Sequence, residues 1–237
     1  MTLDLIAAFA AGYFLGGIPS AAWIARLAGR DIFRVGSGNM GSMNTARNVG
    51  PLAGVAVFVL DVGKGAAAVV TGLWMGDVGS LAEPLAPALA AAVGVVVGHG
   101  WSPYARFRGG KGLAAAFGAT LPIVPLGGLA AFTLLVALIL ITRRSEASAL
   151  IALVALPFLT GTVVVRQGGT LEDGFAVGTG MALVAAVSIV KHLQAYRRLA
   201  RERADASDAS DASDAADASA GPDRPDAADA SSEPRDV

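Results

Sequence analysis

Cysteine is absent from the 237-residue chain, which excludes disulfides, thiolate metal sites and cysteine nucleophiles. Histidine occurs only twice, at His99 and His192, too sparsely for a multi-histidine metal cage. Charge is scarce as well. Only 16% of residues are Asp, Glu, Lys or Arg, against about 25% in an ordinary soluble domain. Apolar residues fill the space instead: the chain is 54% hydrophobic with a mean hydropathy of +0.59. Its 30 glycines fall mostly inside apolar stretches rather than in polar linkers. This composition excludes a coiled coil and, for most of the chain, disorder, and it disfavours a soluble globule.

The charge that is present is unevenly placed. Residues 205–237 hold ten acids and two arginines, whereas residues 1–204 hold sixteen Lys or Arg and nine acids. The segment 205–237 is a run of Ala, Ser and Asp with prolines at 222, 225 and 234. It has too little apolar surface to offset chain entropy, and the expectation is a disordered acidic tail after a membrane domain over 1–204.

A membrane helix needs roughly 20 mostly apolar residues, fewer where several pack together. Runs at 3–28, 51–75, 81–97, 126–141, 149–165 and 175–190 qualify. A further stretch, 112–141, has no charge and is too long for one straight span; Pro122 and Pro125 divide it, giving a short span 112–123 before the one at 126. The expected fold class is therefore all-α, a polytopic membrane helix bundle of about seven transmembrane helices. Six would follow if the proline pair only kinks one helix. The first run lacks a basic leader and a small-residue cleavage site, so it reads as a span rather than a signal peptide. One set of alternate loops, with the exit after the last span, carries thirteen basic residues, and the opposite side carries one, Arg166. That bias places the N-terminus outside and the C-terminus in the cytoplasm. Small residues within the spans, such as Gly16–Gly17, the GKGAAA run from Gly63 and the alanines before Gly94, allow close helix packing.

The chemistry sits in the loops on the basic side. The first, Arg34 to Gly50, packs Gly36, Ser37, Gly38, Asn39, Gly41, Ser42, Asn44, Thr45 and Arg47 into one stretch. Glycines allow successive N–H groups to converge on an anion, and Ser, Asn and Arg add side-chain donors. The second, Gly98 to Gly112, flanks Lys111 with Gly109, Gly110 and Gly112. This is a phosphate-cradle composition, but not the nucleotide P-loop, because the G-x-x-x-x-G-K-[ST] spacing is missing. Asp61 and Lys64 lie deep in the second span at i and i+3, where ionisable groups are costly unless paired; a structural pair is the first reading. His99 reads as a support for the loop it opens. His192 closes the last span, where a histidine serves as proton carrier or anion donor.

These segments carry a resemblance. G-S-G-N-M-G-S-M-N-T-A-R (36–47), D-V-G-K-G (61–65), G-H-G-W-S-P-Y-A-R-F-R-G-G-K-G-L-A (98–114) and K-H-L-Q-A-Y-R-R (191–198) resemble the bacterial acyl-phosphate-dependent glycerol-3-phosphate acyltransferases. The likeness covers about residues 3–200. It implies a multi-pass enzyme of the bacterial cytoplasmic (inner) membrane with its site facing the cytoplasm. It implies transfer of an acyl group from acyl phosphate to glycerol-3-phosphate, giving lysophosphatidic acid and phosphate, the first step of phospholipid synthesis. No cofactor, metal or nucleic acid is implied; the partners are the two substrates and membrane lipid. The resemblance assigns Ser37, Lys111 and His192 to catalysis. It assigns Arg47, Asn39, Asn44, Gly38, Gly41, Gly109, Gly110 and Gly112 to substrate binding. One phosphate would be held by Lys111 and the Gly109–Gly112 backbone, the other by Arg47, Ser37 and the Asn39–Asn44 loop. The attacking hydroxyl must lose its proton to His192 or to the donor phosphate. The phosphate is the favoured base, since no acid near His192 is evident in the sequence.

The chain departs from the family pattern at Met40 and Ser42-Met43, and at Ala195, where the family has asparagine three residues after its histidine. The family's R-Y-x-S-x-x-S loop is matched only by basic residues and serines of Arg143-Arg144-Ser145-Glu146-Ala147-Ser148, and its later glutamate falls near Glu202 in shifted register. Two other readings fit the residues: a small membrane transporter for an anionic metabolite, and a divergent non-catalytic paralogue.

Overall fold

The computed structural model describes residues 2–76 and 85–219. Every regular element among them is helical. Two compact units divide the chain, Met1–Gln194 and Ala195–Val237.

The first unit begins with α1 (Thr2–Gly17) and α2 (Ser20–Leu27), which together make the first apolar run. They part at Ile18-Pro19, because proline lacks an N–H and disfavours helical backbone in the residue before it. A short 3-10 turn (Ile32–Arg34) and α3 (Ser42–Asn48) follow on the basic loop. Next comes α4 (Pro51–Met75), which opens on proline at its first position, where the missing N–H costs little. After it come α5 (Leu85–Gly100), a 3-10 turn (Pro103–Ala105), and α6 (Leu113–Thr120). The chain then turns at 121–124 and forms α7 (Pro125–Thr142), α8 (Ser145–Arg166) and α9 (Leu171–Ser219).

Among the described residues, six segments are long and apolar enough to cross a membrane: Leu3–Leu27, Pro51–Met75, Leu85–Ala105, Pro125–Thr142, Ser145–Arg166 and Leu171–Ser210. The first residues of the expected third span, 81–84, lie outside the described residues. The proline pair does break the long uncharged stretch, but the piece before it, α6, has only eight residues. At 1.5 Å per residue it rises about 12 Å, well short of a hydrocarbon core of about 30 Å.

The helices pack backbone to backbone. α1 lies against α5 through paired glycines four residues apart, Gly12 and Gly16 on one helix, Gly94 and Gly98 on the other. A Cβ at Gly16 would stand 2.0 Å from the Val95 carbonyl oxygen, and one at Gly98 would stand 1.9 Å from that of Tyr13. Neither helix tolerates a side chain there, so the small residues serve the close packing expected of them. α4 packs on α5 and α6, and α7 on α8. The core is made of small and branched residues, among them Ala68, Val69, Ala92, Val95, Ala119 and Val184. Large apolar side chains such as Leu3, Trp74, Leu140 and Phe158 point outward, as they do where lipid is the solvent.

In the second unit, α9 continues to Ser219, with exposed side chains at 204–210. The helix therefore includes residues 205–219, inside the segment expected to be disordered. Alanine, the strongest helix former, recurs throughout this stretch. Residues 220–237 lie outside the described residues.

Candidate functional site

The first basic loop is built around an asparagine. Asp31 caps the 3-10 turn by accepting from the Phe33 N–H at 3.0 Å. Gly36 and Gly38 then take left-handed backbone, φ 55° and 62°, which glycine adopts without steric cost. A Cβ at Gly36 would also lie 2.4 Å from Asn44 Oδ1. Asn44 Nδ2 donates to the carbonyls of Val35 and Asn39, while its Oδ1 accepts from the Ser37 N–H and from Asn48 Nδ2. A primary amide has two donors and two acceptor positions, so all four are used inside the loop. Asn44 therefore holds the loop that carries Ser37 and Asn39. Ser37 is exposed, as is Arg47 in the last turn of α3. Asn39 Oδ1 is buried and has no hydrogen-bond partner among the described residues. Gly41 stands just before α3 and accepts from the Thr45 N–H and hydroxyl.

The second loop folds back on the end of α5. Gly110 N–H donates to the His99 carbonyl at 3.0 Å. A Cβ at Gly109 would lie 2.2 Å from the His99 and Gly100 carbonyl oxygens, and one at Gly110 would lie 2.0 Å from His99 Nε2. These glycines are needed for close approach, and His99 is the floor they rest on. Gly112, φ 83°, is the residue from which α6 starts. Upstream, Arg106 and Phe107 both hold left-handed backbone, φ 54° and 57°, which is strained for side chains with a Cβ. The turn is closed by the Phe107 N–H donating to the Ser102 carbonyl, and the Ser102 hydroxyl donates to the Gly17 carbonyl. Two cation–π contacts anchor the loop. The Arg108 guanidinium lies 4.0 Å from the Phe33 ring centre, joining the two basic loops, and Lys191 Nζ lies 4.6 Å from that of Trp101.

Beneath His99 is a buried polar cluster. Lys64 Nζ is 2.8 Å from Asp61 Oδ1 and donates to the Ile18 carbonyl, Ser20 donates to Asp61, and His99 Nδ1 stands 3.7 Å from the same carboxylate oxygen. The expected Asp61–Lys64 pair is formed, and it is tied to the loop's support.

Lys111 and His192, far apart in sequence, are brought to one carboxylate. Lys111 Nζ pairs with Glu146 Oε1, and His192 Nε2 stands 3.9 Å from Glu146 Oε2. The sequence reading of no acid near His192 is thereby corrected. Glu146 escaped notice because it is 35 residues from Lys111 and belongs to the first turn of α8; only tertiary packing joins them. On its other side, His192 Nδ1 lies 2.9 Å from the Ser188 carbonyl. A carbonyl only accepts, so Nδ1 carries the proton, and in the neutral ring Nε2 keeps a lone pair facing Glu146 and Lys111. Among the described residues, no hydrogen bond or ion pair links this group to Ser37, Asn39 or Arg47; the two loops meet through Phe33 and Arg108.

Between α3, α4, α6, α7 and α8 runs a cleft of about 530 Å³ with almost wholly apolar walls. Phe58, Phe117 and Phe132 stack along it, with ring centres 4.6–6.5 Å apart. Ser42 and Leu113 line it too, so the cleft adjoins both glycine-rich segments.

Two glycine-turned loops bearing cations, beside an apolar cleft in a bundle of membrane-length helices, define an integral membrane protein with a polar face adjoining an apolar cleft. The chain matches the family model described as glycerol-3-phosphate acyltransferase over residues 6–202, and it belongs to that family. It is 35% identical over 201 residues to glycerol-3-phosphate acyltransferase 1 of Deinococcus radiodurans, covering 84% of this chain and 93% of the relative. It is 44% identical over 154 residues to glycerol-3-phosphate acyltransferase 1 of Dehalococcoides mccartyi, covering 62% and 72%. Among solved structures it is similar to PlsY (YgiH), an integral membrane glycerol 3-phosphate acyltransferase, in its glycerol 3-phosphate form. There the TM-score is 0.69 at 26% identity, over 84% of this chain and 93% of that one.

Proposed function

We propose that the chain transfers an acyl group from acyl phosphate to the primary hydroxyl of glycerol-3-phosphate, releasing lysophosphatidic acid and inorganic phosphate. The observation that carries this reading is the apolar cleft adjoining the two glycine-rich loops, which suits a molecule with an aliphatic chain at one end and a phosphate at the other. Family membership supports the acceptor. Acyl phosphate is an activated donor, so the work left to the protein is positioning and charge stabilisation.

In this mechanism the acyl chain lies in the cleft. Lys111 and the Gly109–Gly112 backbone hold one phosphate; Arg47, Ser37 and the loop shaped by Asn44, with Gly38 and Gly41, hold the other. The unpartnered Asn39 Oδ1 accepts a hydrogen bond from a hydroxyl of the acceptor. The acceptor oxygen attacks the acyl carbon, the bond from that carbon to the phosphate oxygen breaks, and phosphate leaves with the electron pair. His192 Nε2, with Nδ1 held by Ser188, takes the hydroxyl proton. The protein lies in the bacterial inner membrane with this face toward the cytoplasm.

Purified protein in detergent supplied with acyl phosphate and glycerol-3-phosphate should release lysophosphatidic acid and phosphate in equal amounts, and acyl-CoA should not replace the donor. Absence of product with either donor would leave the non-catalytic or transporter reading in its place.

A further inference from the structure

Glu146 has no part in the chemistry just described, yet it reaches two of its groups, Lys111 and His192. Its side chain is 62% exposed, whereas those of Lys111 and His192 are 21% and 5% exposed. The carboxylate thus reaches in from solvent, places one oxygen on Lys111 and holds the other 3.9 Å from His192 Nε2. A favourable position in the first turn of α8, near the positive end of the helix, accounts for an acidic residue there. It does not account for the reach to Lys111 and His192.

A carboxylate and a phosphate are both oxyanions that accept charge-assisted hydrogen bonds from an ammonium group. Lys111 cannot give its inward face to both. We propose that Glu146 occupies the phosphate's place in the empty site and so sets the affinity for the phosphate group by competing for Lys111. Binding is then an exchange: the phosphate takes Lys111, and Glu146 swings to water. The exchange is cheap for the protein because Glu146 is exposed, and for the same reason the competition is mild. An exposed pair contributes at most about 1 kcal/mol, about a fivefold change in affinity. The direction is diagnostic. A residue that positioned Lys111 for catalysis would weaken phosphate binding when removed; a competitor strengthens it.

The proposal rests on the reading that Lys111 holds a phosphate, and the test separates the two. Inorganic phosphate, the expected product, is titrated into the purified full chain in detergent by calorimetry, and its inhibition of turnover is measured alongside. The proteins are wild type, Glu146→Gln, Lys111→Ala and the double variant. Glu146→Gln should tighten phosphate binding by about two- to fivefold, and the double variant should show no gain over Lys111→Ala. Unchanged or weaker binding in Glu146→Gln overturns the proposal, including the case where only the unfolding midpoint falls, which would mark Glu146 as a helix-end residue. An equal gain in the Lys111→Ala background also overturns it, since Glu146 would then act elsewhere. If Lys111→Ala alone binds phosphate like wild type, the Lys111 reading fails first and the proposal falls with it.

Discussion

At the scale of single residues, the site divides into groups left to meet a ligand and groups spent on holding those in place. His192 belongs to the first kind. With Nδ1 committed to Ser188, its free Nε2 is the atom suited to take a proton. His192→Gln should lower kcat by about 10²–10⁴-fold and should abolish the part of the pH profile in which rate rises as the imidazole loses its proton. A full rate with an unchanged profile would return the proton to the donor phosphate. Asn44 belongs to the second kind. Asn44→Ala strips partners from the Ser37 N–H and from the Val35 and Asn39 carbonyls, each worth about 1 kcal/mol. The variant should lose both thermal stability and activity, whereas Arg47→Ala should lose activity at unchanged stability. Thermal unfolding in detergent with parallel assays distinguishes them. Sequence alone placed Lys111 and the glycines correctly in one loop, because glycine beside lysine is a local signal. It could not distinguish Asn39 from Asn44, since both are loop amides and only the three-dimensional hydrogen bonds show which is satisfied. Nor could it show Glu146, whose partners lie on other elements.

At the scale of elements, prolines and long apolar runs were legible: Pro51 opens α4, and Pro122 with Pro125 ends one helix and begins another. The short span expected over 112–123 corresponds to the eight-residue α6 and the turn after it; where the helix stops is not marked, because the run carries no charge. Pro19 divides the first run as well, a break that the continuous hydropathy over 3–28 conceals. Glycine packing was legible as a tendency, but the register of α1 on α5 was not. That register gives a sharp expectation. Gly98→Ala drives a methyl into the Tyr13 carbonyl and should lower the unfolding midpoint and, through His99 at the end of α5 and Ser102 just beyond it, the activity. Gly63→Ala, on α4, meets nothing within 4 Å and should leave both unchanged or slightly improve stability. Equal behaviour of the two variants would show that α1 and α5 do not rely on this contact.

At the scale of the whole molecule, the excess of basic residues in one set of loops predicts how the chain is oriented in the bilayer. Lys111 and Glu146, on either side of α6 and α7, lie on one face, so α6 with the turn at 121–124 must serve as a crossing beside the six long segments. A reporter fused after residue 204 should then be cytoplasmic and a tag at residue 1 external, whereas both on one side would mean an even number of crossings. The Asp61–Lys64 pair bears on how such a molecule is made. A lone charge at the centre of a membrane helix costs about 2.5–3.5 kcal/mol on insertion scales, and helices enter the bilayer in the order of synthesis. Because Asp61 carries its counter-charge three residues away on α4 itself, that helix can enter already neutralised, before α5 brings His99. Lys64→Met should therefore leave Asp61 without its counter-charge during synthesis and reduce the amount of protein inserted, while Asp61→Leu/Lys64→Met together should restore insertion. Protease protection of the nascent chain in membranes reads this directly; equal insertion of the single and double variants would mean that α4 does not depend on its own pair. If the pair acts this way, neither residue can change without the other, and the inheritance of α4 is governed by its passage into the membrane as much as by the chemistry above it.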